Sequence, residues 1–300
     1  MKKLWLFDLL IVSLGTMPEP VQGTGEALCR WPDGDAICGI AQAHRGYRQL
    51  DGASWKGVDL NSPARDPHPR QSSKVSSHYF EEAMKTYHVE NPGSIDGLAL
   101  RDDLERQPGP NEVCVRIRAV SLNFRDLLIV RGQYPVPGLR KDVIPVSDGA
   151  GEVTAAGAAV RRVKVGDRVA VNFHQNWIDG PIGAGYMSSD LGGSIDGLLA
   201  ESVILSEEGL VHLPSHLSFE EGAAFGCATI TAWASLVSGV ALRAGHTLLV
   251  QGTGGVSIFA LQFAKALGAR VIATTSSEAK AKTLRALGAD EVINYVATPA

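Results

Sequence analysis

The 300-residue sequence predicts an α/β protein in which a mostly antiparallel β domain precedes a parallel, doubly wound sheet that stops after its first half. Two patterns carry this prediction. Residues 84–213 are short alternating strands separated by glycine and proline turns, whereas residues 214–300 alternate strands with helical patterns. Residues 1–83 show neither pattern, and we predict that they form a disordered leader.

The leader begins like a short signal peptide, because a basic start at residues 1–3 precedes an apolar stretch at 4–14. Asp8 interrupts that stretch. Residues 24–83 are rich in Gly, Ser, Pro, Arg and Asp, a composition typical of disorder. Two interpretations stay open: a targeted or secreted precursor, or an extension upstream of a natural start at Met84. We favour the second, because the chain from Met84 onward looks self-sufficient.

Composition excludes several classes of function. The formal charge of −4 and the absence of a long basic run argue against nucleic acid as a partner. Four scattered cysteines lack the spacing of a disulfide framework or a structural zinc site. No apolar stretch is long enough to cross a bilayer. We therefore expect a small-molecule substrate, no membrane partner and a cytoplasmic location, with targeting or secretion as the alternative if the leader is a true signal.

Each segment of the two domains has its own pattern. Residues 112–120 alternate apolar and polar side chains as a half-buried strand does, and residues 151–157 and 165–171 read as strand and turn. Residues 219–225 and 229–237 have helical spacing, and a β-α-β-α-β run begins at Thr247.

The glycine turn after residue 251 is the most informative motif. Apolar residues 248–250 lead into it, and residues 258–267 continue with helical spacing. A strand, a tight glycine turn and a helix form the phosphate-binding half of a dinucleotide fold, since the turn brings backbone close to a pyrophosphate and the helix offers free N–H groups. Ser257 occupies the place of the third glycine of that pattern. The predicted cofactor-binding residues here are Gly252, Thr253, Gly254, Gly255 and Val256.

The second strand of this unit, residues 269–275, favours NADP over NAD. An NAD site usually carries an acidic residue where that strand ends, to bind the ribose 2′-hydroxyl. Here Ser276 and Ser277 follow the strand, with Lys280 just beyond and Glu278 between them. Hydroxyls and a lysine suit a 2′-phosphate better. The alternative is a helix N-cap at Ser276 or Ser277 with a solvated lysine, and both can hold at once.

The third strand, residues 290–295, ends close to the last residue of the sequence. A six-stranded doubly wound sheet needs a second βαβαβ half. The sequence therefore predicts a truncated domain that holds only the N-terminal half.

Several blocks in order resemble the medium-chain dehydrogenase/reductase superfamily, in its zinc-independent, quinone-oxidoreductase-like branch, also called zinc-type alcohol dehydrogenase-like. The resemblance extends from about Met84 to Tyr295. It implies a GroES-like β domain followed by a truncated Rossmann domain. Besides the glycine turn, the matching blocks are SLNFRD at 121–126, RGQYP at 131–135, VSDGAGEV at 146–153, VGDRV at 165–169, TITAW at 229–233 and LGADEVINY at 287–295.

The zinc-dependent members of this superfamily bind zinc through residues that this chain lacks, so the resemblance implies a mechanism without a metal. Those enzymes have a Cys where this chain has Asn123, and a Gly-His-Glu block at residues 146–148. Cys227 falls near the third ligand, but one thiol cannot hold a tetrahedral zinc. The four-cysteine structural zinc lobe is also missing. We expect no metal, and we expect the scattered histidines to be surface or turn residues: His174, His212, His216 and His246.

The resemblance also implies residue roles. Asn123 would line the cleft near the nicotinamide, Tyr134 would border the substrate side and Thr231 would lie beside the cofactor. Lys280 and Tyr295 match positions that hold the 2′-phosphate, which agrees with the NADP(H) prediction. Local alternatives stay open: Asn123 bonding nearby backbone, Tyr134 packing a loop and Thr231 bonding its own helix backbone.

The predicted function is NADPH-dependent, metal-independent hydride transfer to a quinone or an α,β-unsaturated carbonyl. A conjugated acceptor spreads the developing charge onto oxygen without a Lewis acid, and the protein positions the two rings. No residue stands out as a general acid. The alternatives are a non-catalytic dinucleotide-binding protein and an inactive truncated fragment. A homodimer is expected only for a full-length form.

Overall fold

The computed structural model describes residues 83–134 and 139–297, and within the first 30 residues the backbone of three short strands. These are β1 (Leu9–Ser13), β2 (Glu19–Pro20) and β3 (Cys29–Arg30). β2 pairs with β3, and β1 pairs antiparallel with a strand of the first domain. The disorder predicted for the rest of the leader lies outside the described residues.

The first domain is built on an antiparallel sheet. Its strands are β6 (Glu112–Asn123), β7 (Asp148–Ala156), β8 (Arg168–Val171), β9 (Ser202–Ser206) and β10 (Leu210–His212). The order is β1-β6-β7-β8-β10, and β9 also pairs with β6. A separate hairpin joins β4 (Ala83–Val89) to β5 (Leu98–Leu104). Short helices α1 (Phe124–Val130) and α2 (Ala184–Met187) connect the strands.

The core of this domain comes from the alternation in β6. Val113, Val115 and Ile117 are buried among apolar side chains of β7 and β8. Register shifts between Cys114 and Val115, and between Ile117 and Ala119, reset the alternation, so β6 stays buried and extended to Asn123. The predicted strand at 112–120 is confirmed, and the bulges explain why it runs three residues further.

One continuous helical run leads into the second domain. It consists of α3 (Phe219–Ala223), a π segment (Phe225–Thr229), α4 (Ile230–Trp233) and a second π segment (Ala234–Gly239). Ser218 begins it with a capping box, because its Oγ accepts from Glu221 N at 3.2 Å and Glu221 Oε2 accepts from Ser218 N at 2.8 Å. The two helical segments predicted here are confirmed as parts of this run.

The second domain holds a parallel sheet of three described strands. β11 (Thr247–Gln251), α5 (Gly255–Ala266), β12 (Arg270–Thr275), α6 (Glu278–Ala286) and β13 (Glu291–Asn294) follow in sequence. The order is β11-β12-β13. The predicted order, a mostly antiparallel β domain followed by a parallel α/β unit, is thus confirmed.

One face of this sheet is covered and the other is not. Val250, Val271 and Ala273 are buried under α5 and α6. The opposite face carries Leu249, which pairs in register with Ile272, and Ile293, which pairs with Thr274. Leu249 is 55% exposed and Ile293 is 39% exposed. The described residues therefore leave an apolar sheet face open.

Candidate functional site

The glycine turn has the backbone geometry of an anion cradle. Gly252 adopts φ +79°, a conformation that favours glycine, and Gly254 caps the twelve-residue helix α5. The first helical bond runs from Ile258 N to Gly254 O at 3.0 Å. The N–H groups of residues 255–257 therefore have no carbonyl partner within the helix. Ser257 Oγ donates to Gln251 O at 2.9 Å, so the residue in the third-glycine place ties the helix to the strand.

The predicted 2′-phosphate residues lie at the same end of the sheet as the glycine turn. Gly252 N donates to Thr274 O at 3.0 Å, which joins the turn to the end of β12. Tyr295 N donates to Thr275 O at 3.0 Å, and Ser276 follows directly. Lys280 is exposed in the first turn of α6. Ser276, Lys280 and Tyr295 thus all lie in the segments that follow the carboxyl ends of β12 and β13.

The helix-cap alternative also holds, for Ser277. Its Oγ accepts from Lys280 N at 3.4 Å. Because this bond uses the backbone of Lys280, the ammonium group stays available, and no ion pair engages it among the described residues. Capping and phosphate binding are therefore compatible.

Asn123 lies at the junction of the two domains. It ends β6 and is only 4% exposed. Its backbone N donates to Asp126 Oδ2 at 2.8 Å, and its amide lies against the Asp148 carboxyl, yet neither polar atom of the amide completes a well-formed hydrogen bond in the described part of the chain. A buried amide with both polar atoms unpaired is costly, and such a group is characteristic of a site that a ligand or water completes.

Asp148 connects the first domain to the helical run. Its Oδ2 accepts from the Cys227 backbone N at 2.8 Å, and Ser147 Oγ donates to its Oδ1 at 3.1 Å. A Cβ at Gly226 would lie 2.8 Å from Asp148 Oδ1, so glycine is needed for this approach. Val146, two residues earlier, has φ +77°, which is rare for a β-branched residue.

Burial shifts the ionisation of this cluster. It raises the pKa of Asp148 to about 7, and the neighbouring charge of Asp126 adds to the rise, while Asn123 and Ser147 oppose it. Burial likewise raises the pKa of Asp126 to about 6. The pKa of the Cys227 thiol is raised by burial and then by the two carboxylates, so this group remains a neutral thiol.

Thr231 lies one helical turn after Cys227, half-buried in α4. Its side chain interacts with the Cys227 thiol and lowers the pKa of that thiol slightly against the larger rise. Two neighbouring hydroxyls return to backbone: Thr229 Oγ1 donates to Ala224 O, and Ser235 Oγ donates to Thr231 O, each at 2.8 Å. Asp148 and Cys227 thereby bring Asn123 and Thr231 to one junction.

Arg125 brings Tyr134 into the same region. Its guanidinium lies 4.9 Å from the centroid of the Tyr134 ring and 4.7 Å from that of Phe173. It forms an ion pair with Asp190, and its Nη1 donates to Leu191 O at 2.9 Å. Tyr134 therefore packs as the loop alternative expected, but it packs on the buried charge of Arg125, two residues after Asn123.

His174 corrects one expectation. Its ring is buried at 4.6 Å from Phe173 in an edge-on contact, and burial lowers its pKa. Placing it among surface or turn residues was wrong, because the loop that carries it folds inward around Arg125. His212, His216 and His246 are exposed as predicted.

Sequence reasoning missed the residues that join the predicted ones, namely Arg125, Asp126, Asp148 and Asp190. The available signal was charge in an otherwise apolar context, since Arg125 and Asp126 precede the apolar end of α1. None of the described residues, at this site or away from it, form a group of three or more His, Cys, Asp or Glu that could hold a metal ion. None of the helices they form is long and apolar enough to cross a membrane.

Two family models match the chain. Residues 109–215 match the alcohol dehydrogenase GroES-like domain, and residues 255–299 match the zinc-binding dehydrogenase domain. A zinc-type alcohol dehydrogenase-like protein of Schizosaccharomyces pombe is 44% identical over 66% of this chain and 57% of its own length. A quinone oxidoreductase of Pseudomonas aeruginosa is 43% identical over 68% of this chain and 56% of its own length.

Solved structures agree. A quinone oxidoreductase from Pseudomonas syringae pv. Tomato superposes with a TM-score of 0.57 at 36% identity, over 71% of this chain and 59% of that one. An NAD-dependent alcohol dehydrogenase superposes with a TM-score of 0.66 at 37% identity, over 72% and 64%.

A GroES-like sheet joined to a glycine-turn nucleotide domain defines the class as a dinucleotide-binding oxidoreductase fold. The chain belongs to the medium-chain dehydrogenase/reductase superfamily. It spans little more than half the length of the curated relatives it matches.

Proposed function

We propose that this chain carries the NADPH-binding and hydride-transfer site of a metal-independent reductase of quinones or α,β-unsaturated carbonyls. The observation that carries the proposal is the nucleotide cradle. Free N–H groups at the start of α5 lie at the same end of the sheet as the segments that carry Ser276, Lys280 and Tyr295, which supports the proposal.

The case for NADPH over NADH rests on the end of β12. The strand ends in Thr275 and continues into Ser276 and Ser277, where an NAD site usually has an acidic residue. The next carboxylate, Glu278, accepts from Arg285 Nη1 at 2.7 Å. Hydroxyls, a backbone turn and the ammonium of Lys280 form a site that is favourable for a dianionic phosphate.

The donor set at the domain junction does not fit zinc. An amide at Asn123, a hydroxyl at Ser147 and a carboxyl of raised pKa at Asp148 offer poor ligands. Cys227 is the one thiol at this junction among the described residues, and a single thiol cannot hold a tetrahedral zinc. We therefore propose a mechanism without a metal.

When bound, NADPH supplies a hydride. A conjugated acceptor takes it at carbon while charge develops on its oxygen, and no Lewis acid is required. The amide of Asn123 offers an NH₂ donor group and a carbonyl acceptor at the junction, enough to orient a carboxamide or a carbonyl. Asp148 is fully buried, so we assign the proton to solvent or a ribose hydroxyl rather than to this carboxyl.

The test is NADPH oxidation followed at 340 nm with 1,4-benzoquinone, 2-cyclohexen-1-one and cyclohexanone, with and without EDTA. We expect turnover of the first two, none of cyclohexanone, and no effect of EDTA. Asn123→Ala should lower kcat and leave the NADPH Kd unchanged, while the exposed Asn111→Ala serves as the matched control. Loss of activity in EDTA would contradict the metal-free mechanism.

One observation favours a different candidate, an inactive fragment or a binding protein without turnover. The sheet face at Leu249 and Ile293 is open among the described residues. Cofactor binding without oxidation of NADPH by any acceptor would support the binding protein, and no binding by folded protein would support the fragment.

Assembly and location belong to the same proposal. A homodimer is proposed for a longer form, and the cytoplasm is proposed as the compartment. Sedimentation of a longer product and fractionation of expressing cells test the two statements separately.

A further inference from the structure

Arg125 is the most completely enclosed basic side chain of the described chain. It is 2% exposed, and its guanidinium lies between two aromatic rings, those of Tyr134 and Phe173. Stacking of a guanidinium on aromatic faces is favourable, and more so when water is excluded. The function proposed above uses neither the charge nor the Phe173 ring.

The loop at residues 172–194 closes around this charge. Asp190 pairs with Nη2 and Leu191 O accepts from Nη1, while Ser194 Oγ donates to Asp190. A Cβ at Gly193 would lie 2.5 Å from Arg125 Nη2 and closer still to Asp190 Oδ2. The ion pair is therefore pressed against backbone that only glycine allows.

Aromatic packing extends from this pair into the loop. Phe173 contacts His174 edge-on at 4.6 Å, His174 contacts Trp177 at 6.0 Å, and Trp177 stacks on Tyr186 at 6.3 Å. At the other side, Arg125 directly follows Phe124, the first residue of α1, and is two residues from Asn123. Arg125 therefore holds the loop from a position two residues after the junction residue Asn123.

We propose that Arg125 is the positioning residue that sets the substrate side of the cleft, by holding Tyr134 and Phe173 at fixed places beside Asn123. This inference rests on the proposed reductase function. In this proposal the rings of Tyr134 and Phe173 border the acceptor, and the ion pair of Arg125 with Asp190 holds them in place. Because Arg125 does not contact the nucleotide cradle, its loss should affect the acceptor and not the cofactor.

The experiment uses the full chain labelled with 3-fluorotyrosine, with the Tyr134 resonance assigned by Tyr134→Phe. Arg125→Met and Asp190→Asn should shift or broaden this resonance and leave that of Tyr295 in place. In Arg125→Lys the Tyr134 resonance should lie between its positions in Arg125→Met and in the unaltered chain, because an ammonium cannot stack on two rings. In the assay with 2-cyclohexen-1-one, KM should rise about tenfold or more at unchanged NADPH Kd.

Gly193→Ala retains both side chains of the ion pair but displaces them. This variant should therefore shift the Tyr134 resonance in the same way, even if Arg125→Met fails to fold. Gly183→Ala is the matched control, because a Cβ there meets no atom within 4 Å. A Tyr134 resonance unmoved in folded Arg125 and Gly193 variants would overturn the proposal, as would a KM that stays constant. If the unaltered chain shows no turnover, the reductase function fails, and the ¹⁹F spectra still decide the positioning role.

Discussion

Asp148 Oδ2 accepts a hydrogen bond from the Cys227 backbone N at 2.8 Å, and this contact joins β7 of the first domain to the π segment that precedes α4. The carboxyl is fully buried and approaches Gly226 at a distance that excludes a Cβ. The Asp148 carboxyl thus faces Asn123 on one side and bonds the backbone of Cys227 on the other, and the Cys227 thiol in turn interacts with Thr231.

The stability of the protein should fall as pH rises through this carboxyl's range. Above about pH 4 the unfolded chain releases the Asp148 proton, while the folded chain retains it up to about pH 7. Asp126 acts in the same direction up to about pH 6. Asp148→Asn should make the decrease in the free energy of unfolding smaller by up to about 1.4 kcal/mol per pH unit. Urea unfolding at pH 5, 6 and 7 measures this decrease.

The comparison with the unaltered chain isolates Asp148 from the exposed carboxylates. Asp179→Asn, at an exposed loop position, is the control and should leave the slope as it was. A slope that Asp148→Asn does not change would mean that this carboxyl is ionised in the folded protein.

Val146 should be a position where glycine is tolerated unusually well. Its φ of +77° strains a β-branched residue, and Gly192 and Gly197 pack against its backbone. Val146→Gly loses buried apolar surface but relieves that strain, whereas Val153→Gly, in the same core cluster, has no such relief. We expect Val146→Gly to lower the free energy of unfolding by about 1–2 kcal/mol less than Val153→Gly does. Equal losses in the two unfolding curves would contradict the strain.

The open sheet face should drive self-association. Leu249 lies on β11, which pairs only with β12 among the described strands and carries no charged residue to deter further pairing. Leu249→Lys should reduce concentration-dependent association in sedimentation velocity with little change in the unfolding midpoint. Leu104→Lys adds the same charge at an exposed position of the other domain and should not reduce it.

Local patterns predicted most of the fold, and tertiary contacts account for the rest. The glycine turn, α5 and β12 follow from spacing within about twenty residues, which sequence displays directly. The reach of β6 to Asn123 depends on two bulges, and the inward fold of His174 depends on Arg125 and Asp190, 65 residues apart. A buried charge network is set by packing between distant segments, so its members looked like ordinary surface residues.

The most direct test of the central account is a fluorescence titration of NADPH and then NADH into the 300-residue chain. We predict tight NADPH binding and much weaker NADH binding. Lys280→Ala should weaken NADPH about tenfold or more and leave NADH unchanged, whereas Lys282→Ala, exposed on the same helix, should change neither. Equal affinity for the two cofactors, or a preference that survives Lys280→Ala, would contradict the assignment of phosphate recognition to Ser276, Lys280 and Tyr295.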